Sequence, residues 1–414
     1  MLSNKYYRRN NCRQCGSKNL SLAIKLKPTP LANNYLKNKN ENYKNDLFPL
    51  EVFFCDNCKH LQLIDVVDPK ILYENYVYVS GTSPVFVEHF KNYAKYLSKS
   101  YCSDGLVIDI GSNDGTLLKE FKKLGYSVLG VEPAKDIGKQ ALSHGISTIL
   151  DFFNPILSNS IKQKYGTANI ITANNVFAHI DDPISFLEGV KLLLSPDKGI
   201  FVFEVSYLKD VIENIYFDTI YHEHLDYHTL LPLKTLMDRN GLEVIEASSI
   251  NTHGGSIRVI CQMKGGKYFV DPSVDKLIKK EKELGLHNLS TYKSFSERIE
   301  KTGKKLKKTL LELKLKGKTI AAYGAPAKAT TLMHHFDIGP ETIDFIVDDS
   351  EWKQFLLSPG KNIPIYPKEY IEMNKPDYIL ILAWNFASSI IKNNQRFKSL
   401  GGKYIIPLPK VEIV

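Results

Sequence analysis

The stretch Val107-Ile-Asp109-Ile-Gly111-Ser-Asn-Asp114-Gly115 decides how this chain folds. It lies in and just after an apolar run of strand length, 106–110, and it ends where residues 116–124 take up helical spacing. Gly111 and Gly115 allow a sharp turn and a close approach of main chain to a ligand. Outward from this turn the same alternation repeats. Residues 127–131, 170–173 and 199–205 read as apolar strands, and 136–144 and 183–194 as helices. Ahead of it, Phe86, Phe90, Tyr93 and Leu97 place one apolar stripe on a helix over 85–105. Strands alternating with helices predict a parallel sheet covered on both faces.

A second alternation starts after residue 318, with strands at 319–323, 343–347, 378–383 and 404–407 and a helix at 327–336. Between the two runs, 275–317 reads as one or two long helices. Residues 1–80 are different. Pro28, Pro30, Pro49 and the polar stretch 37–46 leave little room for helix, and apolar runs at 50–54 and 61–67 flank a cysteine pair as a hairpin would. The expected architecture is α/β. It has an N-terminal metal-binding module (1–80), a central Rossmann-like domain (81–270), and a helical linker with a second Rossmann-like domain (271–414).

The 414 residues carry 54 Lys+Arg and 45 Asp+Glu, a net charge of +9, with 43% hydrophobic and 24% charged residues, which excludes a disordered or fibrous chain. Much of the positive excess lies in 276–318, where Lys and Glu alternate with Leu and Ile as on a solvated helix, so no nucleic-acid partner is expected. No apolar run approaches the roughly 18 residues of a membrane span, and Met1–Cys12 lacks the apolar segment of a secretory signal. A cytoplasmic enzyme is the expectation.

Four of the six cysteines form two pairs, Cys12-x-x-Cys15 and Cys55-x-x-Cys58. Each pair presents two thiolates to one ion, which suits tetrahedral Zn²⁺ in a closed, structural site. Unligated thiols and a redox pair are the alternatives, and His60 is a further candidate ligand.

At the turn after 106–110, the loop departs from Gly-x-Gly-x-x-Gly, and its Asp109, Asn113 and Asp114 suit a cationic sulfonium better than a pyrophosphate. Glu132 ends the next strand, 21 residues after Gly111, where a carboxylate accepts hydrogen bonds from ribose hydroxyls. Asp151, Phe152, Asn174 and Asn175 follow later strands, where contacts to adenine and to the methionyl group belong. S-adenosylmethionine is the leading ligand; another nucleotide and a plain structural turn remain alternatives.

Tyr221-His222-Glu223-His224 gathers a phenol, a carboxylate and imidazoles that can serve one reacting carbon as base, orienting group and hydrogen-bond donor. A second metal site and an incidental polar loop are the competing readings. Tyr323-Gly324-Ala325-Pro326-Ala327-Lys328 is a second strand-to-helix turn, whose Lys328 and helix N-terminus suit a phosphate or else form a tight turn. His253-Gly254-Gly255-Ser256-Ile257-Arg258 offers flexible backbone and a cation for a polar ligand, or a β-turn before a strand.

Together these segments, with Asn174–Ile180, Pro359-Gly360, Ile363-Pro364 and Ala383-Trp384-Asn385, resemble the nucleotide-sugar C-methyltransferases, and the likeness spans nearly the whole chain. The resemblance implies S-adenosylmethionine in the middle domain and a 4-keto-deoxy sugar, linked to dTDP, GDP or CDP, between it and the C-terminal domain. It also implies methylation of the sugar at C3. It assigns the base to His224 and supporting roles to Glu223, Tyr221, His179 and Tyr76, with Tyr78 close by; Tyr323, Gly324, Ala325, Lys328, His253 and Arg258 fall on the substrate side. A monomer is expected. O- or N-methylation of such a sugar is the nearest alternative. A dehydrogenase or epimerase would need Tyr-x-x-x-Lys or a catalytic cysteine, and Tyr323 to Lys328 has the wrong spacing.

Overall fold

The computed structural model describes residues 5–38, 46–73, 81, 84–252 and 254–414. Tyr76, Tyr78 and His253 lie outside the described residues.

The central sheet has seven strands in the order Leu242–Ile250, Ser256–Met263, Ile200–Ser206, Ile170–Thr172, Leu106–Ile110, Ser127–Val131 and Thr148–Ile149. The last five run parallel and the first two form an antiparallel hairpin on one edge. Val107, Ile108 and Ile110 are buried because helices cover both faces. One face packs Phe86, Tyr93 and Leu97 from Pro84–Ser100, and the other packs Phe186, Leu187 and Leu236. Gly254 and Gly255, at φ of 91° and 124°, lie in the connection between the two hairpin strands.

The C-terminal sheet has six strands in the order Ile365–Tyr366, Phe345–Val347, Ile320–Tyr323, Tyr378–Ile381, Lys403–Ile406 and Glu412–Ile413, parallel but for the last. The helical region between the sheets divides at a turn. Val274 and Ile278 of Ser273–Glu283 join the core of the central sheet, whereas Tyr292, Phe295, Ile299 and Leu306 of Leu289–Leu315 join the core of the C-terminal sheet.

The N-terminal module contributes a four-stranded antiparallel sheet in the order Asp226–Tyr227, Leu61–Leu63, Phe48–Cys55 and Leu20–Thr29. Its outermost strand comes from the middle of the chain. Phe48, Leu50, Val52 and Phe54 alternate inward, and Phe54 lies 5.6 Å from the ring of Tyr292. This sheet therefore shares one core with the long helix and the C-terminal sheet. Among the described residues no helix is long and apolar enough to cross a membrane.

Candidate active site

The two cysteine knuckles are built alike. Gly16 N–H donates to the Cys12 carbonyl at 2.8 Å and Lys59 N–H to the Cys55 carbonyl at 2.9 Å, with Gly16 and Lys59 both at positive φ. The four sulfurs lie within 4.8 Å of one another, with Cys12–Cys58 at 3.5 Å and Cys15–Cys55 at 3.6 Å. A tetrahedron with Zn–S bonds of about 2.3 Å has edges of about 3.8 Å, so the cluster fits zinc. Four thiolates close the coordination shell, which makes the ion structural. His60 is no ligand; its ring pairs with Asp226.

The turn after Leu106–Ile110 places Gly111, Asn113 and Gly115 at φ of 69°, 51° and 76°. A Cβ on Gly111 would sit 2.3 Å from Val176 Cγ2, so only glycine fits there. Glu132 accepts the N–H of Asn113 at 2.9 Å and of Ala134 at 2.8 Å, and burial raises its pKa. Each carboxylate oxygen keeps a lone pair for a further donor. Asp109 accepts the Thr172 hydroxyl at 2.6 Å from the neighbouring strand, and burial pushes it up to about 7. Asn174 Oδ1 accepts the N–H of Glu204 at 3.0 Å, while its Nδ2 and the Ser112 hydroxyl are buried without a hydrogen-bond partner among the described residues. Asn175 is held at φ 55° by its N–H to the Glu204 carbonyl at 2.7 Å. Asp151 caps the N–H of Phe152 at 2.7 Å and leaves that ring 43% exposed at the rim. Orphaned polar atoms, a cradle without Cβ and a buried carboxylate fit an adenosyl cofactor with a charged tail.

His224 donates its Nδ1–H to the Thr219 carbonyl at 2.8 Å, so Nε2 carries the lone pair and accepts the Tyr221 hydroxyl at 3.0 Å. His179, from the segment Phe177–His179, stacks on His224 and also on Tyr73, at 5.9 Å. Burial pushes His224 down to about 4 and His179 down to about 3. Glu223 accepts the Asn33 amide N–H at 2.8 Å, and burial pushes it up to about 7. The loop thus brings Tyr221 and His224 together with His179 and sends its other histidines away: His222 donates to the Pro49 carbonyl at 3.1 Å, and His228 packs on Phe177.

The substrate-side residues divide in two. Lys328 donates to Asn385 Oδ1 at 2.7 Å and lies 3.4 Å from the centre of the Trp384 ring. Burial, partly offset by Asp218, lowers it to about 8. Trp384 donates its indole N–H to Asp218 at 2.6 Å and stacks on Tyr216, and Gly254 closes over both rings. Tyr323 donates to Asp349 at 3.0 Å, the Ala325 N–H donates to Asp348 at 2.6 Å, and Gly324 turns at φ 89° against Ala383. Arg258 is elsewhere, bound to Glu204 at 2.6 Å and lying over Tyr93 in the central sheet. Asp218, Thr219, Asn33 and Tyr73 carry no local signal in the sequence, whereas Trp384 and Asn385 enter through the resemblance.

Three family models match consecutive parts of the chain: a zinc binding domain over 12–73, a methyltransferase domain over 87–247, and a C-methyltransferase C-terminal domain over 251–409. The C-methyltransferase NovU of Streptomyces niveus is 34% identical over 97% of this chain and 96% of its own length. A ubiquinone biosynthesis O-methyltransferase of Colwellia psychrerythraea is 26% identical over 37% of this chain and 67% of its own. Magnesium protoporphyrin IX methyltransferase from Synechocystis, solved with bound S-adenosylmethionine, aligns at 11% identity over 47% of this chain and 89% of that one, with a TM-score of 0.34. With a relative matched end to end and all three family models in order, the chain belongs to the zinc-containing, S-adenosylmethionine-dependent C-methyltransferases.

Proposed function

We propose that the enzyme methylates C3 of a nucleotide-linked 4-keto-deoxy sugar, in a route to branched sugars, working as a cytoplasmic monomer. The observation that carries this reading is the tautomer of His224. Because Nδ1–H is spent on Thr219, the Nε2 lone pair is a base facing Tyr221. A C–H bond becomes a nucleophile only after deprotonation, and a neighbouring ketone makes that feasible. A neutral imidazole is the form that accepts the proton, and burial keeps His224 neutral at pH 7.

In this reading His224 Nε2 takes the C3 proton and the electron pair moves onto the C4 oxygen. Substrate entry frees the Tyr221 hydroxyl from Nε2 to donate to that oxygen, a contact of a kind worth roughly 2.7–4 kcal/mol. Glu223, raised to about 7, is protonated often enough near neutrality to donate as well. S-adenosylmethionine supplies the electrophilic methyl group and leaves as S-adenosylhomocysteine. Glu132, Asp109, Asn174 and Asn175 are the residues that would hold it, with Gly111, Asn113 and Gly115 shaping the floor and Asp151 and Phe152 the adenine rim. Lys328 and its Trp384–Asp218 surroundings would face the nucleotide sugar from the C-terminal domain.

The test is proton exchange at C3. The protein is incubated with a dTDP-, GDP- or CDP-linked 4-keto-6-deoxy sugar and S-adenosylhomocysteine in D₂O, and the C3 proton is followed by NMR. Loss of that signal, abolished by His224→Asn, supports base-catalysed enolisation. Methyl transfer to any of these sugars without C3 exchange would move the reaction to oxygen or nitrogen.

A further inference from the structure

We propose that Arg13, carried between the zinc ligands Cys12 and Cys15, is a positioning residue that sets the distance between His179 and His224. The proposal rests on the reading of those histidines given above.

The Arg13 side chain is completely buried, and it binds both histidine-bearing segments at once. Its Nη1 donates to the Leu225 carbonyl at 2.7 Å and lies 3.4 Å from Asp226 Oδ1, one and two residues beyond His224. Its Nη2 donates to the Leu63 carbonyl at 2.8 Å and lies 3.5 Å from Asp181 Oδ1, two residues beyond His179. The two segments also meet directly, since the Leu225 N–H donates to the Ala178 carbonyl at 2.8 Å. Arg13 itself is fixed at its backbone, where its N–H donates to Gln62 Oε1 at 3.0 Å.

Other anchors of this loop come from the same module. Leu63 N–H donates to the Leu225 carbonyl at 2.8 Å, Asp226–Tyr227 pairs with Leu61–Leu63, and His60 pairs with Asp226. The physical consequence is a division of labour. The central sheet holds the methyl donor, and the N-terminal module holds the groups that act on the sugar: Arg9 Nη1 donates to Asp181 Oδ1 at 2.9 Å, and the Arg13 guanidinium, with its fixed donor directions, joins that aspartate to the His224 segment. A guanidinium suits this task because its donors diverge in a rigid fork, which an ammonium cannot reproduce. Two carboxylates, Asp226 and Asp181, balance its buried charge.

The experiment uses the full-length, zinc-loaded protein and two variants that approach the contact from opposite sides, Arg13→Met and Asp226→Asn. Zinc content, S-adenosylhomocysteine affinity, hydrogen–deuterium exchange over 176–182 and 219–229, and methyl-transfer kinetics are measured on each. Both variants are expected to keep one zinc and to bind S-adenosylhomocysteine within about twofold of wild type. They should lose protection in both segments by about tenfold or more. kcat should fall by up to about 100-fold at unchanged KM for the donor, the scale of a 1 Å misplacement. Wild-type protection in both variants overturns the proposal. So does loss of zinc from Arg13→Met combined with wild-type kcat in Asp226→Asn, which would confine Arg13 to the metal knuckle. If His224→Asn stays active, the catalytic reading fails on its own, and the exchange data still decide whether Arg13 joins the two segments.

Discussion

The rings of His179 and His224 stack with centroids 5.2 Å apart and planes inclined by 28°. Two imidazolium ions at that spacing would repel, and burial alone already disfavours charging either ring. The pair is therefore neutral, with His224 oriented by Thr219 and His179 held as a wall behind it. His224→Asn removes the Nε2 base while preserving a group that can donate to Thr219. The expected loss in kcat is about 10²–10⁴-fold, with S-adenosylhomocysteine affinity held within about twofold. Turnover by stopped assay and binding by calorimetry check both halves; turnover at the wild-type rate would remove His224 from the base role.

Glu223 gives a prediction with a definite sign. Its folded pKa of about 7 lies above the ordinary 4.5, so the folded state holds this proton more tightly than the unfolded chain. That stabilisation is fully present below pH 4.5 and is lost as pH rises through 7. Relative to Glu223→Gln, which cannot ionise, the wild-type protein should lose about 2–3 kcal/mol of stability between pH 5 and pH 8. Urea denaturation at the two pH values measures this. The wild-type kcat should also decline above pH 7, as the neutral acid disappears, and the Gln variant should lack that decline because its amide still donates.

Gly111 tests the cofactor cradle. At φ 69°, with a would-be Cβ 2.3 Å from Val176, alanine meets both backbone strain and a clash. Gly111→Ala should cost about 1–3 kcal/mol from the conformation alone and weaken S-adenosylhomocysteine binding by tenfold or more. Adding Val176→Ala relieves the clash and not the strain, so the double variant should recover only part of the loss.

The fold was legible where its signals are local. Strands 106–110 and 127–131 coincide with the apolar runs because they are buried on both faces and end at turns. The region read as one or two long helices is two, Ser273–Glu283 and Leu289–Leu315, parted at a turn around Gly285. Hidden from the sequence was the core shared by the N-terminal sheet and the C-terminal sheet, since Phe54 meets Tyr292 across more than two hundred residues with no local trace. The same holds in the site. The run 221–224 announces chemistry, but only its path in space shows that His224 faces His179 while His222 turns away to Pro49. Asp218 had no signal at all, because a lone acidic residue before a loop looks like surface until its burial is seen.

That buried Asp218 supplies the last prediction. Its Oδ2 accepts the Trp384 indole N–H at 2.6 Å, its Oδ1 is buried without a hydrogen-bond partner among the described residues, and burial pushes it up to about 6. Trp384→Phe keeps an aromatic ring against Tyr216 and deletes the indole N–H that Oδ2 accepts, so the buried carboxylate loses that hydrogen bond and keeps the longer-range attraction of Lys328. A destabilisation of about 1–3 kcal/mol follows from that loss. Asp218→Asn should cost less, because an amide tolerates burial better than a carboxylate. The double variant should fall well short of the sum of the two single effects, since each removes the same hydrogen bond. The effect should reach turnover as well: Asp218 directly precedes Thr219, whose carbonyl orients His224, so Trp384→Phe should lower kcat while leaving donor binding unchanged. Additive losses in denaturation, together with wild-type kcat, would separate Asp218 from the loop and make it a purely internal contact of the C-terminal core.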